Sequence, residues 1–134
     1  MSLFNTYEAE VLDHINGVTA LTAEAHLHLA LSTTTPAEDA TNITPPSGNN
    51  YARVQVTNSA TTWDAASGGT ADNGAVITWP KASGSWGTVT YVVAYKADNT
   101  TPIWFAAIDS GTGVAIGAND QLSIPAGDFD WTCD

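Results

Sequence analysis

The chain has 134 residues, and its 14 Asp and Glu against 3 Lys and Arg give a formal charge of −11. Clustered positive charge is what neutralises phosphates and anionic lipid headgroups, and Arg53, Lys81 and Lys96 are spread singly, so neither nucleic acid nor an anionic membrane is expected as a partner. With 43% hydrophobic residues the chain is no disordered acidic tail, and its length fits one domain with a core of its own.

Phe4, Tyr7, Val11, Leu12 and Ile15 recur at the spacing of one helical face, which predicts a helix over about residues 4 to 16. Asn5 with Glu8 resembles a capping box, His14 falls in the last turn and Gly17 suits the position after the helix. Met1 to Asn5 carries no basic region, so no signal peptide is expected, and no apolar run approaches the roughly 20 residues that span a bilayer. Cys133 is the only cysteine, which excludes an intramolecular disulfide and fits a reducing compartment.

From residue 18 on, strand patterns dominate. His26 to Leu31 alternates with its three leucines on one face, and a polar, Pro-containing loop from Ser32 to Asn50 follows. Tyr51–Thr57, Ala75–Trp79, Val89–Tyr95 and Ile103–Ile108 alternate again, with shorter candidates at 113–116, 121–124 and 129–132. Turn clusters such as Ser67-Gly68-Gly69, Ala97-Asp98-Asn99 and Gly117-Ala118-Asn119-Asp120 separate them. About eight short strands predict a mainly β fold, an antiparallel, jelly-roll-like β-sandwich. The organisation expected is an amphipathic helix over 1–17 and a sandwich over 18–134, one globular domain overall. Strand faces rich in Ala and Thr, with few lysines to guard their edges, suit packing against further copies.

No nucleophile elbow, Walker loop or dinucleotide fingerprint occurs, and no catalytic, cofactor-binding or metal-binding residue is assigned. His26 and His28 share a strand face and could reach a metal with His14, but spacing of two is common by chance and solvated strand histidines are the preferred reading. Asp128 and Asp130 could be a glycosidase pair, or equally the solvated side of a strand that buries Phe129 and Trp131. Of the five tryptophans, Trp63 and Trp86 are the candidates for glycan-stacking platforms, and core filling is the favoured account of the set.

The order of several phrases is informative. Leu12-Asp13-His14-Ile15-Asn16-Gly17 precedes Leu27-His28-Leu29-Ala30-Leu31-Ser32, then Tyr51-Ala52-Arg53-Val54, Trp63-Asp64-Ala65-Ala66 and Asn73-Gly74. Ile77-Thr78-Trp79-Pro80, Gly84-Ser85-Trp86-Gly87-Thr88-Val89-Thr90-Tyr91 and Ile124-Pro125-Ala126-Gly127-Asp128 complete the series. This resembles the small tail-fibre-like or minor tail proteins of tailed bacteriophage virions. The resemblance implies a non-enzymatic structural protein of the virion, assembled in the host bacterial cytoplasm, with no cofactor. It leaves open a tail, fibre or capsid-decoration position. A homo-oligomer, with a trimer favoured, and contacts with other phage virion proteins are then expected. The interface candidates are Phe4, Tyr7, Val11 and Ile15, which would pack the helix onto the sandwich or an adjacent subunit. The second reading is a carbohydrate-binding module for host-surface glycans.

Overall fold

The computed structural model describes residues 2–132, and Cys133 lies outside them. The fold is mainly β with one leading helix, as the sequence predicts. Five strands form an antiparallel sheet in the order β1 (Ser2–Leu3), β8 (Pro102–Ala107), β7 (Tyr91–Tyr95), β2 (His26–Ser32), β3 (Val54–Thr57). Where a second continuous sheet was expected, hydrogen bonding draws three two-stranded ribbons. These are β4 (Thr70–Ala71) with β11 (Trp131–Thr132), β5 (Ile77–Thr78) with β10 (Ser123–Ile124), and β6 (Gly87–Val89) with β9 (Val114–Ile116).

The register explains the two-sided core. Leu29 lies opposite Ala94, Ala94 opposite Trp104 and Trp104 opposite Leu3, so these side chains share one face. That face, with Leu27, Leu31 and Val92, meets Ile77, Trp79, Trp86, Val89, Ile116 and Phe129 from the ribbons and their connections. The next residues along, Ala30, Val93 and Phe105, point the other way and pack with Phe4, Tyr95, Ala40 and Ile43. The long 33–50 loop thus covers the second face. Its entry is fixed by Ser32, whose buried hydroxyl donates to the Thr34 carbonyl (2.8 Å) and accepts the Thr44 N–H (3.1 Å).

Several sequence expectations are adjusted. The segment read as one strand, Val89–Tyr95, divides at Thr90, whose N–H turns to the Ser32 carbonyl, so that β6 joins a ribbon and β7 the main sheet. Two short strands lacked a readable pattern, β1 and β4. The helix α1 (Asn5–Ile15) has Phe4, not Asn5, as its N-cap, with no side-chain capping bond. Phe4 holds that position because its ring is fully buried against Phe105 (5.0 Å between centroids) and its N–H pairs with the Ile103 carbonyl. The C-terminal end follows the sequence signal. Gly17 adopts φ +71°, its N–H reaches the His14 carbonyl, and the Val18 N–H reaches Asp13. That double closure is a Schellman motif.

Candidate interaction surface

The helix follows the edge strand β1, packs on β8 and shares a groove with the β4–β11 ribbon. Its four candidate interface residues separate by depth. Phe4 belongs to the chain's own core, the first of the two placements expected for it, and is not available to a partner. Tyr7 and Val11 are half-buried and line an open groove of about 330 Å³ with Leu3, Ala66, Ala71 and Trp131. Ile15, one turn beyond Val11, is 72% exposed, and Leu12 beside it is 58% exposed. The helical periodicity marks the apolar face correctly, but only its first turn is spent on the fold.

Two contacts fix the helix against the sheet. The Lys96 Nζ, at the end of β7, donates to both carboxylate oxygens of Glu10 at 2.7 and 2.6 Å and stands 5.6 Å from the Tyr7 ring centre. The Glu10 carboxylate, by hydrogen bonding and charge, raises the Lys96 pKa against the opposing effect of burial. Burial, and then the charge of Glu10, raises the Tyr7 phenol. On the far side the His14 Nδ1 accepts the Leu21 N–H (3.1 Å), tying the 18–25 connection to the helix. Neither His26 nor His28 joins it: their rings meet each other edge-on at 5.1 Å, and no group of three metal-ligating side chains gathers among the described residues.

The tryptophans divide as well. Trp86, a stacking candidate, is buried, with its Nε1–H on the Asn49 carbonyl (2.9 Å) and its ring against Tyr51. A ring so enclosed offers no face to a sugar, so that part of the reading is corrected. Trp63 is half-buried, held by an Nε1–H bond to the Asn58 Oδ1 (2.9 Å), and packs against Trp131. Trp131 in turn meets Trp104, and all three line a second pocket of about 290 Å³ next to the groove.

Three of the fourteen acids, Asp64, Asp72 and Asp130, interact near this ribbon. Because Trp131 pairs with Ala71, the adjoining Asp130 and Asp72 share the opposite side of the ribbon. Partial desolvation and then the Asp130 carboxylate, with Asp64 beyond, raise the Asp72 pKa. Asp128 does not join this pair in a strand, since β11 begins only at Trp131. The ribbon is secured from behind by Asn73, which is fully buried. Its Nδ2 donates to the Ala75 and Pro125 carbonyls at 2.9 and 2.8 Å, and its Oδ1 accepts the Phe129 N–H at 2.9 Å. Every donor and acceptor of that side chain is matched, and the C-terminal arm is thereby placed over the core.

A β body that leaves an apolar helix face open offers a surface for contact with another macromolecule. Comparison with known proteins agrees in kind. The family described as podophage GP4 fiber I protein gp80 matches residues 2–132. The chain belongs to the podophage GP4 fiber I family. No curated protein matches it. Fiber I membership bears out the resemblance to phage tail-fibre proteins and makes the chain part of a virion. Among the fiber I residues that sequence reading missed as surface-forming are Leu3, Ala66, Ala71 and Trp131. Leu3 and Ala71 lie in two-residue strands too short for any periodic signal.

Proposed function

We propose that this fiber I protein is a non-catalytic structural component of the particle, acting through subunit and particle interfaces in a tail-fibre-like, minor tail or decoration position. It works as a homo-oligomer, with a trimer as the first stoichiometry to test, and binds other virion proteins. The observation that carries this is the family match over residues 2–132, joined to a helix face left apolar and open at Val11, Leu12 and Ile15. A fully solvated helix face needs no apolar residues, so the exposed Leu12 and Ile15 side chains support a contact.

Deleting the leading segment is a poor test, since it would remove Phe4 from the core. Ile15→Glu and Leu12→Glu touch only exposed positions. Particles assembled with the double variant should contain markedly less of the chain than wild-type particles, while the purified variant keeps its thermal stability. Equal incorporation of variant and wild type would sink the interface reading.

A further inference from the structure

Two of the chain's asparagines, Asn16 and Asn73, precede glycine, and the fold treats the two pairs in opposite ways. The Asn-Gly pair is chemically special. Glycine has no Cβ, so its backbone nitrogen can approach the asparagine Cγ unhindered and close a five-membered ring. Asn73 is fully buried, and its amide makes the three hydrogen bonds described above. The Gly74 N–H is bound to the Thr62 carbonyl at 2.9 Å, and the place a Cβ on Gly74 would take lies 2.7 Å from the Asp64 Oδ1. Asn16 is the C-cap of α1, every residue from 12 to 20 is exposed, and its side-chain amide takes no partner among the described residues. Nothing lies within 4 Å of the place a Cβ on Gly17 would take, and the Gly17 N–H is held by a long bond of 3.2 Å to the His14 carbonyl.

We infer that Asn16-Gly17 is a modification site, at which the folded chain deamidates spontaneously while Asn73-Gly74 is spared. Opening the last turn of α1 frees the Gly17 N–H. At an exposed helix end that opening costs little, whereas freeing Gly74 requires unfolding the core around Asn73. The Gly17 nitrogen then gives up its proton and attacks the Asn16 Cγ. A bond forms between that nitrogen and Cγ, the Cγ–Nδ2 bond breaks, and the amide nitrogen leaves with the proton as ammonia. Water opens the cyclic imide at either carbonyl, which leaves aspartate or isoaspartate at position 16. Either product adds a negative charge at the carbonyl end of the helix, where the dipole opposes it. Isoaspartate also routes the backbone through an extra methylene, so the Gly17 and Val18 closing bonds lose their spacing. The modification therefore loosens the turn that carries the exposed Ile15 side chain.

The test incubates the whole folded chain in mildly alkaline buffer and follows each asparagine by peptide mapping and mass spectrometry. Cleavage after glutamate releases residues 11–24, in which Asn16 is the only asparagine. Acidic forms of that peptide, with isoaspartate identified by its fragment ions, should accumulate about a hundredfold or more faster than conversion at Asn73, because opening of the core is limited by global stability. In urea the two pairs should react at similar rates, since both glycine nitrogens are then free. Asn16→Gln, whose ring closure would be six-membered, should abolish the reaction at this position. In the converted fraction the Gly17 and Val18 amides should exchange with solvent faster than in the unreacted chain. Conversion at Asn73 that keeps pace with Asn16 in the folded chain overturns the inference. So does an Asn16 that stays intact when folded and reacts in urea, which would show that the Schellman turn keeps the Gly17 nitrogen closed.

Discussion

Replacing Asn73 by Ala tests the idea that one buried amide holds the C-terminal arm in place. The side chain makes three hydrogen bonds of 2.8 to 2.9 Å, two to carbonyls and one from the Phe129 N–H, and is fully buried. Each such bond contributes about 0.5–1.5 kcal/mol net, and a partner left buried without a match costs about 1–3 kcal/mol. With the Pro125 carbonyl and the Phe129 N–H both stranded, and water able to reach part of the gap, the expected loss is about 3–5 kcal/mol. For a chain of this length 1 kcal/mol corresponds to roughly 3–5 °C, so the midpoint should fall by about 10–20 °C. Calorimetry measures the midpoint, and hydrogen exchange should show faster exchange at the Phe129 amide and through Trp131. Asn73→Asp adds a second arm. A carboxylate there would face two carbonyls, so its pKa would be raised in the folded state. Stability should then be lowest above that pKa and recover as pH falls and the protonated acid regains one donor. A loss below about 1 kcal/mol for Asn73→Ala, or an Asp variant indifferent to pH, would refute the account of the arm.

Other positions test other links. Gly113 has φ +74°, and a Cβ there would collide with the Val89 carbonyl oxygen and Thr90, so Gly113→Ala should cost about 2–4 kcal/mol by urea unfolding, against no measurable loss for Gly68→Asn in an open turn. Lys96→Met should cost about 0.5–1 kcal/mol at pH 7, the range of a partly exposed ion pair. Because the folded pKa of Lys96 is raised, that contribution is complete below the ordinary lysine pKa and disappears as pH rises through the folded value, so both proteins should converge in strongly alkaline buffer. Burial and then the Asp130 carboxylate raise the Asp72 pKa, so Asp130→Asn, which removes the second cause, should raise the melting midpoint at pH 7. Since the folded pKa of Asp72 is raised, its penalty fades as pH falls through that value, and the two midpoints should meet in acid.

Alternation and turn chemistry made most of the β framework legible. His26 to Leu31 was readable because its leucines face one core, and Asp98 marked a turn because its carboxylate takes the Thr100 and Thr101 N–H groups (2.8 Å each). Those bonds, with the Thr101 hydroxyl foremost, hold the Asp98 carboxyl well below the usual range. Asp120 does similar work on the Gly117 N–H. What stayed illegible depends on long-range partners. β4 exists only because β11 returns to it from sixty residues away, and neither has a period to detect. The groove needs both, so half of its wall could not be anticipated, whereas Tyr7 and Val11 on the helix could. Trp86 was misjudged because its neighbours Ser85 and Gly87 suggest a loop. Its burial is decided by Asn49 and Tyr51, far away in the chain.

The charge imbalance acquires a spatial meaning from these contacts. Two of the three cations are engaged inside the chain, Lys96 fastening the helix to β7 and Arg53 capping Tyr95, so they add structure rather than positive surface. Asp72 has its pKa raised by partial desolvation and then by the Asp130 and Asp64 carboxylates, with no cation among the causes. Net negative charge of this size opposes unspecific association, so it favours solubility. With the surface net negative and two cations already engaged, a contact between copies has to be driven by burying apolar side chains such as Leu12 and Ile15 rather than by pairing charges.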